Sequence, residues 1–258
     1  MTISGTRSQE HSSLPAILCL HGAGTNATIF SLQARTIIRS LKHRFRFIFA
    51  DAPFESLPGP GVIPTFAEIK PYLRWHCDEN AIDEFDVSPE AVDTERRLVR
   101  SMLAEHIDNE AAGPGLGIVG VMAFSQGTRV ATGLCLDPII GPSIRFAILI
   151  AGTFPALLLQ PRHPEVADQG STSSSSSRRQ LLRIPSIHVQ GSLDPWAPES
   201  ARLLKECYNG DVAVTIKFRG AHQVPTAKKD AQAVADAVLL AWDSVSHDDN
   251  ETTMVVSN

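Results

Sequence analysis

Paired cysteines, long apolar runs and an excess of base are all missing from this 258-residue chain. Its four cysteines, Cys19, Cys77, Cys135 and Cys207, lie at least 58 residues apart. They make no C-x-x-C and no cysteine–histidine cluster with zinc spacing, so no metal site is expected. In a chain of this size they read as reduced thiols, hence a reducing, cytoplasmic setting. Residues 1–13 are polar and lack an apolar h-region, so no secretory signal is expected. No apolar run approaches the ~20 residues of a membrane helix, and no lipidation pattern is visible. Basic residues number 23 against 28 acidic ones, a formal net charge of −5. That excludes a broadly basic nucleic-acid binder and any whole-molecule attraction to an anionic membrane. No internal repeat is present.

What is there is a recurring pattern. Short apolar runs fall at 16–20, 45–50, 118–124, 146–151, 186–190 and 212–218. Most lack strict alternation, as strands buried on both faces do. Helical periods lie between them. Ala231, Val234, Ala235, Val238, Leu239 and Trp242 make the cleanest stripe, and Leu98, Met102, Leu103 and His106 make another. Strand–helix alternation predicts an α/β fold, a mostly parallel central sheet with helices on both faces. Three stretches interrupt it. Residues 52–91 are proline-rich and aperiodic, as a lid or substrate loop would be. Residues 160–180 carry STSSSSS, a flexible polar insertion. Residues 244–258 are expected to form a disordered acidic tail. None looks like a linker between cores, so one domain over 1–258 is expected.

The run 118–124 leads into Ala123-Phe124-Ser125-Gln126-Gly127 and then a helical pattern. This is close to G-x-S-x-G, in which a serine sits on a sharp strand-to-helix turn with its hydroxyl above the sheet. Ala123 replaces the first glycine and adds one methyl. Such a pentapeptide also suits a serine that merely starts a helix. A serine nucleophile needs a base, and the base needs a carboxylate. Asp194 follows the run 186–190, and His222 follows the run 212–218. Both therefore lie beyond the carboxyl ends of strands, where open α/β sheets hold ligands, in the chain order Ser, acid, His. The competing histidines are placed worse. His11, His163 and His247 are in tail or loop, His106 and His188 sit within a helix and a strand, and His43 precedes a strand. His76 lies in the proline-rich loop, where it could touch substrate. Asp168 and Asp211 are similarly displaced as acids. The plainer alternative is Asp194-Pro195 as a turn and His222 as a surface residue.

Acyl transfer also needs oxyanion donors. The backbone N–H of Gln126, next to the serine, and that of Ala23, in the loop His21-Gly22-Ala23-Gly24-Thr25-Asn26, are the candidates. His21 would order that loop. The same loop, with Ala27, matches G-x-G-x-x-G/A, and Asp51 ends the next strand. A dinucleotide-binding oxidoreductase using NAD is thus a rival reading.

With these residues in view, the chain resembles the fungal serine hydrolase (FSH) family of α/β-hydrolases. The matching stretches are ILCLHGAGTN (17–26), FIFADAPF (47–54), PGPGV (58–62), YLRW (72–75), AFSQG (123–127), GSLDPW (191–196) and GAHQVP (220–225). The resemblance implies Ser125 as nucleophile, Asp194 as acid, His222 as base and no cofactor. It is similar to members encoded beside fungal polyketide synthases, the lovastatin-type product-release thioesterases. These hydrolyse an acyl chain from the synthase's acyl carrier domain. The expected partner is then such a domain or its phosphopantetheine-bound acyl chain, and a small-ester carboxylesterase with the same triad is the alternative. Phe54, Tyr72 and Trp75 would line an acyl pocket, or simply pack the loop. Arg74 would meet a polar group or be solvated. Carrier domains are acidic, so net charge offers no long-range steering, and a local patch or guidance by the arm would be needed. Residues 244–258 hold three of the negative charges (Asp248, Asp249, Glu251), leaving −5 + 3 = −2 on residues 1–243.

Overall fold

A computed structural model describes residues 13–77, 88–160 and 181–246. All six apolar runs become strands of one parallel sheet. In chain order these are β1 (Ala16–Leu20), β2 (Arg46–Ala50), β5 (Ile118–Phe124), β6 (Phe146–Ile150), β7 (Ser186–Gly191) and β8 (Ala213–Phe218). A two-residue antiparallel pair, β3 (Phe54–Glu55) with β4 (Leu73–Arg74), stands apart. The sheet order is β2-β1-β5-β6-β7-β8. The central strands β1, β5, β6 and β7 are buried throughout, while the edge strands β2 and β8 are half-exposed. That is why the two edge runs carry charged or polar residues such as Arg46 and Lys217.

Helices cover both faces. On one face α3 (Pro89–Ala111), α4 (Gln126–Leu136) and α5 (Ala197–Cys207) bury Val99, Leu103, Val130, Leu134 and Leu203 against Leu18, Val121, Ala123 and Leu149. On the other, α1 (Ala27–Gln33), α2 (Arg35–Leu41) and α6 (Lys228–Ser246) bury Phe30, Ile37, Val234, Val238 and Trp242 against Ile17, Cys19, Met122 and Ile148. Alternate strand residues thus feed opposite layers, as a period of two requires. One bulge breaks that parity. The β1–β5 register jumps between Ile118 and Gly120, so Ile118 and Val121 end on the same face.

Two boundaries differ from the sequence expectation. The buried stripe of α3 is Val99, Leu103 and the partly buried Ile107, one residue on from Leu98, which is 44% exposed. Residues 244–246 belong to α6, so the expected tail loses its start, and 247–258 lie outside the described residues. The serine-rich stretch 161–180 lies outside them as well. Among the described residues no helix is long and apolar enough to cross a membrane.

Residues 52–77 are fastened to the body. Leu73 bridges Thr25, with Gly24 N–H donating to Leu73 O (2.8 Å) and Leu73 N–H to Thr25 O (2.8 Å). The Asn26 side chain caps α1 through Ile29 N–H and also donates to Pro71 O (2.8 Å). Arg74 pairs with Glu95 (2.9 Å) and lies over the Phe54 ring (4.9 Å).

Candidate active site

Ser125 sits between the end of β5 and the start of α4, with φ 50 and ψ −123. A positive φ on a residue with a side chain costs on the order of 1–3 kcal/mol and persists only where the surroundings impose it. Here Ser125 N–H donates to Ile150 O (3.0 Å), and Thr128 Oγ1–H and Thr153 Oγ1–H donate to Ser125 O (2.6 and 3.2 Å). Gly127 lets α4 pass close to the loop after β1. A Cβ there would run into Leu20 O and stand 2.7 Å from His21 O. Ala123, at the place of the missing glycine, packs its methyl fully buried in the sheet core.

The loops after β7 and β8 are laced together by Ser192 N–H to Phe218 O (2.8 Å) and Leu193 N–H to Gly220 O (2.9 Å). This brings Asp194 beside His222. The Ser125 hydroxyl lies 2.8 Å from His222 Nε2, and His222 Nδ1 lies 2.9 Å from Asp194 Oδ2. Trp196 N–H donates to the other carboxylate oxygen (2.8 Å), fixing its orientation. Asp194 is almost wholly shielded. The imidazole is packed between Phe124 (5.2 Å between centroids) and Trp196 (4.5 Å). The arrangement can take a proton from the serine and hold the resulting imidazolium against a carboxylate.

Ser125 and His222 open into a cavity of about 830 Å³, with Asp194 shielded behind the imidazole. Ala23 and Gln126 line it beside Ser125. As the first residue of a helix, Gln126 has no intrahelical acceptor for its N–H, which leaves that donor for a ligand. The Gln126 side chain has a second role that no motif marked. It accepts from Trp75 N–H (2.9 Å) and donates to His76 O (3.0 Å), clasping the loop 75–76.

Phe54, Tyr72 and Trp75 are not among the cavity-lining residues. Trp75 is fully buried and donates its indole N–H to His21 O (2.8 Å). The Tyr72 hydroxyl donates within its own loop to Ala67 O (2.9 Å). Phe54 carries the Arg74 guanidinium. All three pack the loop. The wall instead comes from Pro60, Val62, Phe154, Trp196, Arg129 and Glu199. Trp196 stood in a motif already noticed, whereas Phe154 follows β6 and had no motif to mark it.

His21 orders its loop. Ala52 N–H donates to its Nε2 (3.0 Å), so Nδ1 bears the proton and donates to Gly22 O (2.8 Å). Burial pushes its pKa down to about 4, against smaller upward pulls from Gly22 and Asp51. The glycine-rich loop is filled from within the protein. A Cβ on Gly24, whose φ is +71, would collide with the Gly59 backbone, and Asp51 accepts from Ala27 N–H (2.8 Å). A dinucleotide has neither the loop nor the acid left to it. His76 is buried beside Cys77 O (2.7 Å), His188 lies inside β7, and His43 is exposed. His11, His163, His247 and Asp168 lie outside the described residues. No group of three His, Cys, Asp or Glu suited to a metal occurs among the described residues.

The family described as serine hydrolase (FSH1) matches residues 11–234. The chain is 71% identical over 248 residues to the thioesterase FSL2 of Gibberella zeae, covering 95% of this chain and 99% of that protein. It is 35% identical over 254 residues to the esterase pigG of Monascus ruber, covering 88% and 90% respectively. Among solved structures, acyl-protein thioesterase 2 of Zea mays superposes with a TM-score of 0.52 at 18% identity, over 89% of this chain and 94% of that one. At that identity the likeness concerns the fold, an α/β-hydrolase.

Proposed function

The chain belongs to the FSH1 serine hydrolase family, a hydrolase of the thioesterase and esterase kind, and from that premise we propose that Ser125, His222 and Asp194 are its catalytic triad. Membership in a hydrolase family also disposes of the NAD oxidoreductase reading. The single observation that carries the proposal is the unbroken line of contacts from Ser125 Oγ through His222 to Asp194, at 2.8 and 2.9 Å. His222 Nε2 takes the hydroxyl proton as Oγ attacks an acyl carbonyl. The oxyanion rests on the N–H groups of Ala23 and Gln126. The tetrahedral intermediate collapses, the thiol or alcohol leaves with the proton from His222, and an acyl-Ser125 ester remains. Water, deprotonated by His222, attacks that ester, and the acid departs as Oγ regains its proton.

The substrate we propose is a polyketide acyl chain thioesterified to the phosphopantetheine arm of an acyl carrier domain, the enzyme acting as the releasing thioesterase. The 71% identity to a protein named a thioesterase supports the thioester. The likeness in motifs to synthase-associated members supports the carrier. A carboxylesterase acting on small esters is the second reading, favoured by the relative named an esterase. Both readings take one domain, cytoplasmic and without a cofactor.

Hydrolysis rates for one acyl group on a carrier domain, on pantetheine and on a simple aryl alcohol separate the two. Ser125→Ala serves as the blank. Higher kcat/KM on the carrier thioester is expected, and a strong preference for the aryl ester defeats the release reading. Fluorophosphonate labelling tests the triad itself, for folded protein that takes no adduct on Ser125 is not a serine hydrolase working through that residue.

A further inference from the structure

The cavity has two unlike ends. Sheet order puts the loops after β1 and β2 to one side of Ser125 and those after β6 and β7 to the other. The β6–β7 end presents Phe154 and Trp196. Phe154 is held firmly, its N–H donating to Glu199 (3.2 Å) and its ring lying 4.1 Å under the Arg202 guanidinium. The β1–β2 end is lined by Gln33, Pro60 and Val62.

Gln33, the last residue of α1, carries the unexplained group. Its Oε1 is shielded from solvent and accepts no hydrogen bond among the described residues. Leaving a buried acceptor unpaired costs about 1–3 kcal/mol. The terminal torsion of a glutamine is broad, so either amide atom can turn into the cavity. Cations lie on the segments that adjoin Gln33. Arg35 folds its guanidinium onto Leu32 O (2.8 Å), next to Gln33. Thr36 reaches Thr226 O (3.4 Å), bringing α2 against the chain that starts α6 at Lys228 and Lys229. Arg35, Arg39, Lys228 and Lys229 are exposed, and Asp230, next to the two lysines in the chain, is half-buried. Arg35, Lys228 and Lys229 also sit at the positive ends of helix dipoles, where cations are locally unfavourable by a few tenths of a kcal/mol. Helix stability does not account for them.

We infer that this end of the cavity is a track for a phosphopantetheine arm, with the Gln33 amide hydrogen-bonded to an amide of the arm and Arg35, Lys228 and Lys229 facing its phosphate. The acyl chain then runs toward Phe154 and Trp196. This rests on the carrier-thioester reading above. It gives a net acidic protein a local means of meeting an acidic carrier, since exposed cations act over about 10 Å at ordinary salt. Coenzyme A carries the same arm, so the shared chemistry is the phosphopantetheine itself.

The test is steady-state kinetics with one acyl group on a carrier domain, coenzyme A, pantetheine and an aryl alcohol. Gln33→Leu is expected to raise KM on all three arm-bearing thioesters about five- to tenfold more than on the aryl ester, as loss of one hydrogen bond predicts. Arg35→Glu and the double variant Lys228→Glu/Lys229→Glu are expected to raise KM on the phosphate-bearing substrates over pantetheine, with the gap closing as salt is added. A larger effect on the carrier than on coenzyme A assigns the cations to the carrier surface as well. Equal changes on every substrate, or none on pantetheine for Gln33→Leu, overturn the track. A wild-type enzyme with no preference for arm-bearing thioesters overturns the track and the carrier reading together. A preference that the variants leave untouched overturns the track alone.

Discussion

His188 lies in the middle of β7, fully buried, with Nε2 near Ser186 Oγ (3.1 Å), its ring edge-on to Tyr208 and no hydrogen-bond partner at Nδ1 among the described residues. Burial pushes its pKa from 6.5 down to about 4. The unfolded chain therefore binds a proton near pH 6.5, whereas the folded one resists until about pH 4. Between those values the unfolded state holds more protons, so stability rises with pH across the window and is lost on acidification. The full shift of roughly 2.5 units corresponds to about 3 kcal/mol. At pH 5 the loss relative to neutral pH is about 2 kcal/mol. The perturbation is His188→Phe, which keeps a ring against Tyr208 and removes the titrating group. Near pH 7.5 its effect on stability is expected to stay within about 1 kcal/mol, since an unpaired nitrogen is removed while Ser186 loses a neighbour. Urea unfolding followed by tryptophan fluorescence at several pH values between 7.5 and 4.5 reads the difference. Wild type is expected to lose about 2 kcal/mol more than the variant between pH 7.5 and 5. Identical acid limbs for the two proteins would refute the reasoning. His21, pushed to about 4 by burial as well, contributes a second loss in the same window that both proteins share.

Other expectations follow from single contacts. Asp194→Asn keeps an oxygen for Trp196 N–H and turns an NH2 toward His222 Nδ1, which forces the proton onto Nε2. The enzyme is expected to fold normally and lose kcat by on the order of 10³–10⁴, measured on an aryl ester beside a thermal melt. Gly127→Ala presses a methyl into Leu20 O and His21 O and displaces the loop that carries Ala23. It is expected to cost about 1–3 kcal/mol in denaturant titration and to lower kcat. Trp75→Phe strips the donor from His21 O. A loss of about 1–3 kcal/mol is expected, seen as a lower urea midpoint.

The strands were legible because buried parallel strands are short, β-branched and bounded by turn residues, and each of the six lies within two residues of where its run predicts. The positions of Ser125, Asp194 and His222 were legible for a related reason, since a residue just past a strand's carboxyl end has one edge of the sheet to occupy. The loop 52–77 was not. Its aromatics suggested a pocket, but the partners that bury Trp75 are His21 O and the Gln126 side chain, 54 and 51 residues away in sequence. Local pattern carries no trace of contacts at that distance. The same holds for Phe154, which is a cavity wall because of Glu199 and Arg202 on α5. On α3 the periodicity was right and the phase was off by one residue, since Leu98 and Val99 are equally apolar.

Gln126 has one further consequence. Its amide clasps the backbone at 75 and 76, and its own N–H is the oxyanion donor proposed above. Nucleophile turn and loop are therefore one mechanical piece. A segment so anchored works as masonry rather than as a door, and turnover need not wait for it to swing. Any change in it that loosens the clasp shifts the oxyanion donor at the same time. New substrate ranges would then come more cheaply from the opposite bank of the cavity, at Phe154 and Glu199, where the wall can be recut without disturbing the turn that holds Ser125.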